Sequence, residues 1–223
     1  MGARKYIYLA FLAGFLLKYY SVHRANENYD YRWQVPDNRT VAILTYGDGV
    51  PPSDLAYARK VIEQAFGMNT EVIQRPNEEL TQFYQPQFKQ YHAGNMLNHV
   101  ARNPPSEHFR HLVLLHSNIY DDGTNFIFGL SANPGPVSVV TTKGYAIAPK
   151  DISLEPVLHK KVLRVLLVHE LGHSLGLDHC ENKCAMKFGN NVIHEMKKHD
   201  RFCAVCESKL KQLSHTGFQG RRL

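Results

Sequence analysis

The chain has 223 residues, 43% of them hydrophobic and 21% charged, which excludes an intrinsically disordered chain and fits one domain of ordinary size, with room for a small appendage. The formal net charge is +6, yet the lysines and arginines are scattered, with short clusters such as Lys197-Lys198 and Arg221-Arg222 and no basic stripe interleaved with aromatics. No nucleic-acid partner is expected from that pattern.

Residues 1–20 form an N-terminal apolar segment. Arg4 and Lys5 precede an apolar run from Tyr6 to Leu17, and Lys18 ends it. The run is short for a membrane span, and its length suits the core of a signal peptide. No small-x-small cleavage site follows, so a signal anchor, a signal peptide, a plain apolar helix and a misassigned start all fit. Membrane association through residues 6–17 and retention of residues 1–20 in the mature protein stay open. Myristoylation is excluded because Tyr6 stands where Ser or Thr is needed. Residues 21–39 are polar and poorly patterned and read as a linker, which leaves 40–223 as the folded domain.

TVAILTY (40–46) is a β-branched apolar run and reads as a buried strand. Pro52, Ser53 and Asp54 open a helical pattern that runs to Phe66 and closes at Gly67. TEVIQ (70–74) alternates as a second strand, and the strand–helix–strand order predicts parallel pairing. After Pro86, the spacing of Phe88, Tyr91, Met96, Leu97 and Val100 is helical, weakened by Gly94. HLVLLH (111–116) is a third strand, buried on both faces. Asp121-Asp122-Gly123 is a turn, since the remaining calcium-ligand positions are absent. FIFGLSA (126–132) and VSVVTT (137–142) flank a Pro/Gly turn and are predicted antiparallel neighbours, with Gly129 marking a bulge or the approach of another backbone. Asp151 or Ser153 offers a cap, Pro156 sits in the first turn, and Val157 to Leu175 is apolar nearly all round, as in a helix through the core.

That helix runs into HELGHSLGLDHC (169–180). His169 and His173, four apart, share one helix face and can converge on one ion, while Glu170 stands about 100° round, beside the ion. Gly176 permits the left-handed turn that ends a helix, and His179 can then swing back as a third ligand. Three neutral imidazoles leave a fourth tetrahedral position for water, the arrangement of a catalytic zinc. Zinc so bound brings the pKa of its water toward 7, and Glu170 can take that proton and later deliver it to a departing amine. With 13 histidines, a bare His-Glu-x-x-His arises by chance in a few per cent of such chains; Gly176 and His179 at their offsets lower that to about one in ten thousand. A helix end whose histidines merely interact with the dipole would not explain Glu170 in so apolar a helix.

All four cysteines follow: Cys180, Cys184, Cys203 and Cys206. Both spacings let a pair of thiolates bind one ion, and four thiolates make a closed structural zinc site. Such a site would pin the segment carrying His179 to the C-terminal helix. Disulfides and buried small hydrophobes are the alternatives.

The run HELGHSLGLDHCENKCAM, with CAVC downstream, resembles the archaemetzincins, a family of the metzincin metallopeptidases. The order of elements from about residue 40 also matches: strand, helix, strand, strand, edge strand, strand, active-site helix. The resemblance implies an α/β (α+β) metzincin-like domain with a mixed five-stranded twisted sheet, an antiparallel edge strand and a C-terminal helical part carrying the four-cysteine zinc site. It implies His169, His173 and His179 as catalytic zinc ligands, Glu170 as general base, Met186 as the Met-turn residue, and a second zinc on the four cysteines, hence two zinc ions per chain. FIFGLSA would bind an extended peptide by strand addition. The expected protein is a monomeric peptidase acting on oligopeptides, as aminopeptidase or endopeptidase, and cytoplasmic by family resemblance unless residues 1–20 direct it elsewhere. The alternative is a zinc-stabilised interaction module with little turnover. No oxyanion donor is assigned; Tyr145 and His116 both read as structural.

Overall fold

The computed structural model describes residues 39–47, 49–143, 156–187 and 199–215. The apolar segment, the linker up to residue 38, the caps proposed at Asp151 and Ser153, and Tyr145 lie outside the described residues. No helix among the described residues is long and apolar enough to cross a membrane.

Strand β1 (Thr40–Tyr46) is buried along its whole length. Helix α1 (Pro52–Phe66) follows, with proline in its first turn and Gly67 at φ 64° as its left-handed C-cap. β2 (Asn69–Arg75) pairs parallel to β1. β5 (Arg110–Leu115) pairs parallel to the other side of β1, and β8 (Val137–Thr141) parallel to β5. β7 (Gly129–Ser131) closes the sheet antiparallel to β8, giving the order β2-β1-β5-β8-β7. The mixed five-stranded sheet and its antiparallel edge are those expected.

Helix α3 (Pro156–Ser174) lies against β7 and β8 and packs on α1. Its apolar girth has a cause in what surrounds it: Val162, Leu163, Val165, Leu166, Leu167, Val168 and Leu171 are all buried. Each such side chain contributes roughly 1.5–3 kcal/mol relative to exposure. Asp54, buried in the first turn of α1, accepts a 2.9 Å hydrogen bond from His159 Nε2 and ties the two helices together. Helix α2 (Ala93–Arg102) also contacts β7 and β8. Ser138 of β8 turns its hydroxyl to α3, so strand alternation points its neighbours Val137 and Val139 to the opposite face. Helix α4 (Ala204–His215) ends the described chain.

Two expectations are corrected. The helix expected after Pro86 starts only at Ala93. Pro86–Lys89 is a turn, closed by Lys89 at φ 54°, and returns the chain as β4 (Gln90–His92). β4 pairs antiparallel with β3 (Tyr84–Gln85) and parallel with β6 (Ile119–Tyr120). Phe88 and Tyr91 mimic a helical spacing, but they serve this small sheet: Phe88 meets the Tyr120 ring at 5.6 Å and Tyr91 the Tyr84 ring at 5.0 Å. The second correction concerns residues 126–132: the strand is Gly129–Ser131, flanked by single hydrogen bonds of Phe128 O and Ala132 N–H to β8, while Ile127 bridges to Ile119.

Candidate metal centre

His169 and His173 project from the last turns of α3 with Nε2 atoms 3.0 Å apart and rings at 87°. The helix then stops. Gly176 adopts φ 95°, its N–H donates to His173 O at 2.8 Å, and the Leu177 N–H donates to Gly172 O at 3.0 Å. This turn brings the His179 ring to 4.8 Å from that of His173 and 5.4 Å from that of His169. One nitrogen from each of the three rings lies within 4.8 Å of the others. The outer nitrogens are engaged: His169 Nδ1 donates to Ala185 O at 2.8 Å and His173 Nδ1 to Leu177 O at 2.7 Å. Those bonds fix the tautomers, so the inner Nε2 atoms carry lone pairs, as a metal ligand requires. Burial lowers the pKa of all three histidines, that of His173 to about 3, where the charges of His169 and His179 add to the effect. Three neutral nitrogens converging on one point fit zinc.

Glu170 is buried next to this group, against β7. Gly129 is why it fits: a Cβ at residue 129 would stand 2.6 Å from both Cγ and Oε1 of Glu170. The approach that Gly129 permits is therefore by the Glu170 side chain, not by another backbone. The Ser131 hydroxyl lies 2.9 Å from Glu170 Oε2 and 2.8 Å from the Glu170 carbonyl oxygen. Burial pushes the carboxyl up to about 7, against the opposing pull of the Ser131 hydrogen bond.

Met186 is fully buried, with its Sδ where a Cβ on Gly172 would be only 2.6 Å away. Thus the fourth residue of HELGH must be small for Met186 to lie against the helix. The four cysteines gather beyond it, all as free thiols, with one sulfur of each within 4.8 Å of the others. Cys180 Sγ and Cys203 Sγ are 3.8 Å apart, too far for a disulfide. Zinc–sulfur bonds of about 2.3 Å in a tetrahedron separate the sulfurs by about 3.8 Å, so the cluster fits zinc. The Cys203 thiol is drawn down to about 6: burial pushes it up, and hydrogen bonds from the Cys206 backbone, the Asn182 side chain and the Cys180 and Cys184 thiols together outweigh burial. Leu177, Met186, Phe202, Leu210 and Leu213 pack around the cluster, joining it to the turn that carries His179.

The structure places His169, His173 and His179 in one group, with Glu170 on the same helix, and the four cysteines in a second, with Met186 packed against that second group. His116 stands apart from both groups, its Nδ1 2.7 Å from Thr142 Oγ1. Sequence reasoning missed Ser131, Asn133 and Arg110. Arg110 is buried at the head of β5 and donates from Nε at 3.2 Å and Nη2 at 3.0 Å to Ser174 O, the last carbonyl of α3.

The sequence model of peptidase family M54 matches residues 108–212, a stretch containing all of these side chains. Archaemetzincin of Methanopyrus kandleri is 32% identical over 124 residues, covering 55% of this chain and 67% of that protein. The chain belongs to the archaemetzincins. Archaemetzincin of Archaeoglobus fulgidus is 37% identical over 93 residues, and the chain spans about half of it, 54%. The crystal structure of the Methanopyrus kandleri archaemetzincin superposes with a TM-score of 0.67 at 24% identity, covering 82% of this chain and 99% of that one. The fold of this metallopeptidase family therefore extends well beyond the stretch of sequence similarity.

Proposed function

We propose that the protein is a zinc-dependent peptidase in which His169, His173 and His179 hold a catalytic zinc and Glu170 is the general base. Cys180, Cys184, Cys203 and Cys206 would hold a second, structural zinc. The observation that carries the reading is the convergence of three imidazoles, those of His169 and His173 with fixed tautomers, beside a buried carboxylate on the helix that bears these two. When bound, zinc supplies Lewis-acid polarisation of the scissile carbonyl and a water acidified toward neutral pH.

The residues of the chain do the rest. Ser131 engages Oε2 of Glu170, leaving Oε1 to take a proton and hand it to the departing amine. Burial lowers the pKa of all three histidines, which favours the neutral form that a metal ligand requires. Peptide positioning falls to β7. Phe128 O and Ala132 N–H bond to β8, so by antiparallel alternation the backbone groups of Gly129 and Ser131 point away from it. An extended peptide added there would pass directly over Glu170, which supports oligopeptides as substrates. One chain supplies every proposed ligand and the base, which supports action as a monomer.

The test is a library of oligopeptides with free and acetylated N-termini, incubated with zinc-loaded protein and with Glu170→Ala at equal zinc content. Cleavage is expected from the wild type and is expected to fall by about 10²–10⁴ in the variant. Equal activity in both would remove Glu170 from the mechanism, and no cleavage of any peptide by the wild type would favour a zinc-stabilised interaction module. Dependence of cleavage on the free amine separates aminopeptidase from endopeptidase action.

A further inference from the structure

We propose that Asn133 is a positioning residue that ties the edge strand β7 to the turn carrying His179, and so sets the affinity of the three-histidine site for zinc. The proposal rests on the zinc reading above. After Ser131 the chain leaves the sheet and crosses to the end of α3, with Asn133 at the crossing. Its Nδ2 lies 3.2 Å from Leu177 O, 3.2 Å from Asp178 Oδ1 and 3.4 Å from His173 Nδ1. A carbonyl and a carboxylate only accept, so the amide must present its NH₂ group to this side. A flipped amide would set its oxygen against two acceptors.

His173 Nδ1 is 2.7 Å from the same Leu177 O and also carries its proton there. It is therefore a second donor beside Asn133, not a partner of it. One carbonyl oxygen thus receives two N–H groups, one from a metal-site histidine and one from the β7–β8 connection. The second Asn133 hydrogen goes to Asp178, the residue before His179. The peptide between Leu177 and Asp178 is in this way held from the hairpin side, and the His179 side chain starts from a fixed plane. The hairpin is itself anchored at both ends: Gly135 N–H donates to Ser174 O at 3.1 Å, and the Ser131 hydroxyl reaches Glu170. Outer-shell hydrogen bonds of this kind commonly change metal affinity 10–100-fold.

The experiment is a zinc titration of the full chain against a chromophoric chelator, with the cysteine site filled first. It compares the wild type with Asn133→Ala, Asn133→Asp and Asp178→Ala, at an ionic strength that screens the exposed Asp178 charge. Aspartate matches asparagine in shape but presents acceptors only. Both Asn133 variants are expected to weaken zinc binding at the histidines about 10–100-fold, and Asp178→Ala about several-fold. Zinc at the cysteines is expected to be retained in all of them. Wild-type affinity in Asn133→Ala overturns the proposal. So does wild-type affinity in Asn133→Asp, because the side chain would then act only by filling space. If neither Asn133 variant folds, Asp178→Ala decides, and unchanged affinity there overturns the proposal. A wild-type chain that takes up no zinc at the histidines rejects the zinc reading itself, and the proposal with it.

Discussion

Replacing Gly129 by alanine puts one methyl group against the proposed base. The added Cβ would meet Glu170 Cγ and Oε1 at 2.6 Å and Cδ at 2.8 Å. Reaching an ordinary contact of about 3.4 Å requires the carboxylate to retreat by roughly 0.8 Å, and its burial leaves it little room to do so without turning away from Ser131. Gly129 lies in a regular strand with negative φ, so alanine is compatible with the backbone itself. A misplacement near 1 Å costs on the order of 10² in rate, or about 2.7 kcal/mol in the barrier. The assay is peptide hydrolysis by wild type, Gly129→Ala, Glu170→Ala and the double variant, all at equal zinc content. Gly129→Ala is expected to lower kcat about 100-fold in the wild-type background and to have no effect once Glu170 is absent. Undiminished activity in Gly129→Ala would refute the reasoning, since the position of Glu170 would then not matter.

Three further outcomes follow from other contacts. Arg110→Met removes the donors to Ser174 O and Phe109 O inside the core, and a loss of about 2–4 kcal/mol is expected in urea unfolding; an unchanged midpoint would count against Arg110 as an anchor of α3. His111 is buried and its pKa is lowered to about 4 by burial, so the unfolded chain, titrating near 6.5, takes up the proton first as pH falls. The stability this group contributes is present above pH 6.5, declines toward pH 4 and is flat below. Between pH 7 and 5 the wild type should lose about 2 kcal/mol more than His111→Leu, and parallel pH curves would contradict the assignment. Chelation should abolish hydrolysis when zinc leaves the histidines, before the cysteine site empties, and added zinc should restore it. Hydrolysis that persists in metal-free protein would exclude the mechanism.

What the sequence made legible was local. The HExxHxxGxxH run fixes its own geometry through the helix repeat and one left-handed glycine, and the two cysteine pairs are each short-range. The buried strands β1, β5 and β8 were plain because a strand covered on both faces is a continuous apolar run. β3, β4 and β6 were missed because two or three residues carry no periodicity, and their aromatics happen to fall at helical intervals. Asn133, Ser131 and Arg110 could not be found because their partners lie 39 to 64 residues away, across a hairpin or the whole of α3. Gly129 was flagged by its place in a strand, but only the fold shows which side chain it admits.

The most direct test of the account is a crystal of the full chain measured at the zinc absorption edge. Two anomalous peaks are predicted, one within bonding distance of a ring nitrogen from each of His169, His173 and His179, the other at the centre of the sulfurs of Cys180, Cys184, Cys203 and Cys206. A zinc-replete crystal with no peak among the three imidazoles, or with those rings turned away from a common point, would contradict it.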